Sequence, residues 1–457
     1  MSEANYRVDA IAAIVGGTLT TGGEQTAHRV VIDSRDDVRG ALFVALEGER
    51  FDGHDFVAEV EKKGAAAVMV SRPLDDLAIP QIVVGNTLDA LTAMAAHHRG
   101  TYRGIVAAVT GSSGKTTTRT LIASILSVRH RVHQPVRNFN NHIGVPLTLL
   151  GLGPSADVAV FELGCSNFGE IAHLTKLVQP HVSVITNVGP AHLENLGNLV
   201  GVARAKGELF SHMPDGGTAV VNLDDVHVSA MSTGTSRRLT FSTRSSADVQ
   251  LLSRRSVENG QILTIALPDG SIELLCPLPG EHNAVDATAA AAVAVAMGES
   301  GADIAAGLST VRPVNGRLNV FSCRGMTIID DTYNANPSSM AAAFDVLREM
   351  AAPGHAVAAI GDMLELGEES AAAHRRIGAM AVRAGIRVLV VKGRWKDHTL
   401  AGALEAGLPP SNGFAAADSG EMVKILTEIS KTGDALLIKG SRGMRMEEVV
   451  AGIREGK

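Results

Sequence analysis

The chain reads as an α/β protein of three domains built on parallel sheets, and three observations predict this. Short β-branched runs recur along its length, among them AAAVMV, GIVAAVTG, DVAVFELG, VSVITNVG, GTAVVNLD, HAVAAIGD, RVLVVKG and DALLIKG. Ala-rich helical stretches separate them, and that alternation is the rhythm of βαβ units. The runs are apolar throughout rather than alternating, as strands buried on both faces of a parallel sheet must be. At about 150 residues per domain, 457 residues make three domains with room for separate cores.

Taken in order, residues 1–84 hold short strands and a small α/β unit that closes in PQIVVGN. The segment DALTAMAAHHRGTYRG then reads as a helix leading into a second, longer α/β block over 85–314. Within that block a polar, strand-like stretch near 240–280, SADVQLLSRRSVENGQILTIALPDGSIELL, predicts a β-hairpin excursion. A third, Rossmann-like α/β series occupies 315–457, opening after PVNGRLNV. Ligand sites are expected beyond the carboxyl ends of the parallel strands.

Composition excludes several classes. Hydrophobic residues make up 45% and charges are mixed, which rules out disorder. A net charge of −7 argues against bulk nucleic-acid or anionic-membrane binding, and 3% aromatics against base-stacking platforms. Cys165, Cys276 and Cys323 are widely separated, so a disulfide scaffold or zinc ribbon is excluded and each reads as a small buried hydrophobe. The N-terminal MSEANYRVDAIAAIVGG lacks the basic-then-apolar pattern of a signal peptide. AVDATAAAAVAVAMG, the longest apolar stretch, contains Asp286 and is shorter than the roughly 20 residues of a membrane span. A cytoplasmic protein, acting as a monomer without nucleic acid or membrane span, is expected.

The strongest local signal is IVAAVTGSSGKTTTRTLIASIL. A buried strand from Ile105 to Val109 runs through Gly111, Ser112, Ser113, Gly114, Lys115, Thr116 and Thr117 into an apolar-periodic helix. Glycines let backbone N–H groups turn inward around phosphate oxygens, and the helix N-terminus adds its dipole. Lys115 would neutralise the terminal phosphates of ATP, and the Thr116 hydroxyl would sit on Mg²⁺. Val109 stands where the usual motif has its first Gly, and the shortened loop points away from standard kinases and GTPases.

Three further groups share the expected rim. Glu162 follows the strand Val158–Phe161 and offers a carboxylate to a hard cation. His192, in TNVGPAHLENLG, follows the strand Val182–Thr186, and Lys206, in ARAKGELF, lies on a helix. Taken alone, a His of this kind is more often a structural hydrogen-bonder and a helix Lys a solvated face residue.

The strings TGSSGKTTT, FELG, TNVGPAHLENLG, ARAKGE, PGEHNAVDATAAA, NGRLNV, DDTYNANPSSM and VKGSRGM together resemble the Mur ligases, over essentially the whole chain. RNFNNHIGVPLTLL, DDTYNANPSSM, GDMLELGE and DSRDDVRGALFVALEGERFDGHDF point, within that family, to the branch that joins D-alanyl-D-alanine to UDP-N-acetylmuramoyl-tripeptide. The resemblance implies an ATP-dependent amide-forming ligase working through an acyl phosphate. Third-residue addition, a folylpolyglutamate-type ligase and a phosphate-loop regulatory ATPase stand as alternatives. The dipeptide-specific strings, and the lack of the Asp-Asn-Pro-Arg string of third-residue ligases, count against the first two.

By the same resemblance, Gly111–Thr117 wrap the ATP phosphates, Thr116 and Glu162 bind one Mg²⁺, and His192 with a carbamylated Lys206 serves a second. Lys115, His192 and Lys206 are the implied catalytic groups, while His282 and Asn283 lie near adenine and Arg317 marks the hinge into the third domain. Ser34 and Arg35 hold the uridine end of the nucleotide sugar. Asn138, Asn140 and Asn141 face the peptide or phosphate region. Asp331, Asn334 and Asn336 face the dipeptide, and Lys439, Ser441 and Arg442 form a basic loop over phosphate. Asp286, in place of a second Asn of the family's HNxxN pattern, puts adenine contact there in question, and Leu196 and Asn198 replace the usual Phe and Ser. His192, His374 or a carboxylate is the candidate acceptor for the amine's proton.

Overall fold

The computed structural model describes residues 5–48, 51–135, 138–352 and 355–456. Residues 1–4, Glu49, Arg50 and Arg137, which belong to segments quoted above, lie outside the described residues. Three mostly parallel sheets follow one another along the chain. The first runs Thr18–Leu19, Gln81–Val83, Ala67–Val70, Ala41–Val44, Arg29–Val31, antiparallel only at the Thr18–Leu19 edge. The helix Thr87–Thr101 leads out of it; Asn86 caps its N-terminus by accepting from the N–H groups of Leu88 and Asp89.

The second sheet has nine strands. Ile105–Thr110 sits between Val158–Glu162 on one side and Val182–Ile185 on the other, all parallel. Val132–His133 forms one edge, and Thr218–Asn222 and Arg237–Ser242 continue the parallel set toward the other. Because the chain builds outward from Ile105–Thr110 in both directions, a crevice opens beyond that strand's carboxyl end, where ligands bind in doubly wound sheets.

The stretch near 240–280 corrects the expected excursion. Val249–Val257 pairs parallel with Arg237–Ser242, and Gly260–Leu267 and Gly270–Cys276 add antiparallel strands to the same sheet. The reason is a period-two apolar face: Leu263, Ile265 and Leu267 turn inward onto the core that also holds the Ala-rich helix Glu281–Ala296. The exposed polar residues lie on the flanking strands, at Ser253, Arg255, Ser256, Ser271 and Glu273, and give the stretch its detached look in sequence.

The third sheet runs Asn319–Cys323, Met326–Asp331, Ala435–Lys439, Ala356–Ile360, Val388–Lys392, Gly413–Ala416, antiparallel only at its first edge. It carries two apolar clusters of its own, whereas the first and second sheets share one cluster that includes Leu91, Met94 and Leu149. Among the described residues no helix is long and apolar enough to cross a membrane.

Candidate active site

The carboxyl ends of the second and third sheets face one another across a cleft of about 640 Å³. The loop between Thr110 and the helix Lys115–Leu126 forms its floor. Gly111 and Gly114 have φ of +149° and +77°, a region closed to most L-residues. A Cβ at Gly111 would also collide with the Thr186 hydroxyl, and one at Gly114 with the Asp286 carboxylate. Asn187 straps the loop from the next strand end. Its carbonyl accepts from the Ser112 N–H at 3.0 Å, and its Oδ1 from the Ser113 N–H at 3.1 Å. The 12-residue helix that follows has no side-chain cap at Gly114, so its N-terminal dipole and N–H groups face the cleft.

Lys115 Nζ folds back to the Gly111 carbonyl at 2.7 Å. Burial, and then the Lys206 ammonium, lower its pKa to about 8. Glu162, 1% exposed, ends its strand within a ring of donors. Thr116 Oγ1 donates to Oε2 at 2.7 Å and Asn140 Nδ2 to Oε1 at 2.8 Å. The Asn138 amide satisfies its surroundings when its nitrogen donates to Glu162 at 2.9 Å and its oxygen accepts from the Tyr333 hydroxyl at 3.0 Å. Asn141 lines the cleft but also accepts from the N–H groups of Ile143 and Gly144, closing the turn that leads into the next helix.

His192 reaches the cleft from a left-handed conformation, φ +52°, and pairs through Nδ1 with Glu365 of the third sheet's loops at 2.8 Å. Lys206 is 1% exposed on the helix Leu199–Ser211 and donates to Cys165 Sγ at 3.1 Å. Cys165 is buried in the core shared by the first two sheets, as expected, and also borders the cleft; Cys276 is buried too, while Cys323 is only partly so. Asn198 caps the Lys206 helix, accepting from the Gly201 N–H at 3.0 Å, and Leu196 is buried, so both serve local structure.

On the opposite wall, burial pulls His282 down to about 4, and Asn283 is buried with Nδ2 on the Pro279 carbonyl. Asp286 lies against the phosphate loop at Gly114, and burial raises its carboxyl to about 8, with Thr118 and Arg317 pulling it back in part. Arg317 stacks its guanidinium 4.2 Å from the Tyr333 ring centre. Asp331, Asn334 and Asn336 all line the cleft. Asn336 also caps the helix Pro337–Met350 through a capping box with Ser339.

Lys439 is not part of a basic loop. It ends the buried strand Ala435–Lys439, pairs with Asp331 Oδ2 at 2.5 Å and donates to the Asn334 carbonyl at 2.8 Å. Its charge is thus committed to shaping the loop of residues 331–336. Ser441 binds that loop too, at the Ala335 carbonyl, while Arg442 is exposed and pairs with Glu447. His374 cannot take a proton from a substrate: it is buried, Nδ1 faces the Ser370 carbonyl and Nε2 accepts from the Met363 N–H. Ser34 and Arg35 belong to the first sheet's loops and do not line the cleft; Arg35 pairs with Asp33 at 2.6 Å. Asn187 and Tyr333 escaped the residue-by-residue reading, although both sit inside quoted strings and Tyr333 is one of only three tyrosines.

Comparison with known proteins decides the family. Residues 26–99 match the Mur ligase family catalytic-domain model, 109–294 the Mur ligase middle domain, and 316–442 the Mur ligase glutamate ligase domain. The UDP-N-acetylmuramoyl-tripeptide–D-alanyl-D-alanine ligase of Escherichia coli is 40% identical, covering 97% of each chain. The chain belongs to the Mur ligase family. A crystal structure of MurF from Acinetobacter baumannii superposes on this ligase with a TM-score of 0.91 at 33% identity, covering all of both chains. MurF from Thermotoga maritima, solved in complex with ADP, gives a TM-score of 0.82 at 29% identity, over 93% of this ligase and 97% of that chain.

Proposed function

We propose that the cleft joins D-alanyl-D-alanine to UDP-N-acetylmuramoyl-tripeptide at the expense of ATP, giving the pentapeptide precursor of peptidoglycan, ADP and phosphate. The observation that carries this reading is the meeting, in one cleft, of an uncapped phosphate-loop helix, a buried carboxylate ringed by donors, and the polar rim of the third sheet. The full-length relatives named for that reaction support it.

Residues 1–84 then hold the nucleotide sugar, with Ser34 and Arg35 at its uridine end. Residues 85–314 bind ATP, with His282 and Asn283 toward adenine, and 315–457 present the dipeptide through Asp331, Asn334 and Asn336. The Thr116 hydroxyl and the Glu162 carboxylate are hard oxygen donors on one rim, a set that fits Mg²⁺. When bound, Mg²⁺ screens the phosphate charge. Lys206 as an ammonium has no lone pair for a cation. Carbamylated, the buried Lys206 would offer oxygen atoms in place of an ammonium, and with His192 it would serve a second cation. We place the reaction in the cytoplasm, where ATP is available, with the monomer as the working unit.

A carboxylate is a poor electrophile, so the tripeptide's terminal carboxylate first attacks the γ-phosphorus in line, and the β–γ bridging bond breaks to release ADP. Lys115 and the helix N-terminus stabilise the charge spread over the equatorial oxygens. Bound polyphosphate also gives Lys115 the counter-charge that burial denies it. The dipeptide's free amine then adds to the acyl carbon, passes a proton to His192 or a cleft carboxylate, and the tetrahedral intermediate collapses by expelling phosphate. Most of the acceleration comes from holding three substrates in register.

Oxygen labelling tests the route. With ¹⁸O in the tripeptide carboxylate, one labelled oxygen should appear in the released phosphate. Phosphate free of label would contradict an acyl phosphate.

A further inference from the structure

Tyr333 is the one tyrosine that lines the cleft. It follows the strand Met326–Asp331 of the third sheet, yet its hydroxyl crosses to the second sheet's side and meets Asn138 at 3.0 Å. Two guanidinium groups hold the ring, Arg317 at 4.2 Å and Arg442 at 5.8 Å from its centre, so the hydroxyl is aimed by stacking rather than by a flexible stem.

The amide it meets has two faces of opposite character. With its oxygen toward Tyr333 and Asn140 Nδ2, Asn138 presents its NH₂ to both oxygens of Glu162, at 2.9 and 3.3 Å. Turned over, it would press a carbonyl against a buried carboxylate, lone pair against lone pair. A donor on the Tyr333 side is therefore what selects the orientation that steadies Glu162. Of the two donors there, Asn140 Nδ2 at 3.2 Å comes from the second domain, as do Glu162 and Thr116, and the Tyr333 hydroxyl at 3.0 Å comes from the third.

We infer that Tyr333 is a positioning residue: its hydroxyl orients Asn138, and through it the Glu162 carboxylate, so that the cation-binding rim is completed only when the third domain is docked. The inference rests on the reading of Thr116 and Glu162 as cation ligands, and it links dipeptide-side closure to phosphate-side readiness. Phosphoryl transfer before docking would waste ATP, and an incomplete rim restrains it.

Tyr333→Phe isolates the hydroxyl, because the ring and its stacking on both arginines remain. Mn²⁺, followed by electron paramagnetic resonance in the presence of a non-hydrolysable ATP analogue, probes the rim without turnover. The variant should bind Mn²⁺ about 5-fold more weakly and need about 5-fold more Mg²⁺ for half-maximal activity, with kcat about 10-fold lower. Its thermal transition should stay within about 1 °C of wild type. Unchanged Mn²⁺ affinity and an unchanged Mg²⁺ profile would overturn the inference. A wild-type protein with no Mn²⁺ site in the presence of the analogue would instead overturn the assignment of Thr116 and Glu162.

Discussion

Asp286 shows what a single buried carboxyl costs. Burial against Gly114 raises its carboxyl from the ordinary 3.8 to about 8. Between those values the folded protein holds a proton that the unfolded chain has released, so stability falls as pH rises from about 4 to about 8 and then levels. Asp286→Asn, an isosteric neutral amide, should therefore melt higher, with the advantage widening from pH 5 to 8 by on the order of several °C. A pH-independent difference would place the group's pKa near its ordinary value. Lys115 sits at the same scale. Lys115→Ala should lose on the order of 10²–10³-fold in kcat with little change in melting, since its hydrogen bonds among the described residues go to loop carbonyls at 2.7 and 3.4 Å. Loss of the thermal transition would make it a structural residue instead. Lys206→Ala should be inactive and regain part of its turnover with small carboxylates, and wild-type activity in that variant would remove the carbamate. Residues such as Lys115 and Glu162 were legible because chemistry sits at a strand end. The partners of Lys439 were not, because Asp331 and Asn334 lie more than a hundred residues away and only packing brings them together.

Elements differ in how openly they declare themselves. Apolar strands covered on both faces, such as Val158–Glu162 and Ala435–Lys439, are continuous in sequence and were read with nearly their observed bounds. Gly260–Leu267 resembles a free hairpin strand in sequence because its second face is only partly covered and its neighbours are polar. Caps carry the same ambiguity. Asn336 and Asn141 read as substrate groups, yet Asn336 spends its side-chain oxygen on a helix N-terminus and Asn141 on the turn that leads into one. Asn336→Asp preserves the cap and should keep melting within about 1 °C, whereas Asn336→Ala should destabilise by about 1 kcal/mol. Equal melting of all three proteins would show that the capping box carries no stability.

The whole molecule places charge locally rather than globally. Its net −7 sits beside a reaction in which every large substrate is anionic, and the positive groups that matter, Lys115, Arg317 and the uncapped helix, converge on one cleft. Second and third sheets are held together around it by His192–Glu365 and by the two-pronged Arg254–Glu349 pair at 3.0 and 2.5 Å. No sequence pattern could foretell those pairings, since they join strands and helices from separate domains. Glu349→Ala should favour open forms, raising KM for the dipeptide about 3-fold while kcat changes less than twofold. The central claim is that ATP is consumed only in making an amide bond, and phosphate release measured under four substrate conditions tests it most directly. Release should be fast with UDP-N-acetylmuramoyl-tripeptide and D-alanyl-D-alanine together, and near background with either one or neither. Equally fast release with neither substrate present would contradict the account and make the protein an ATPase.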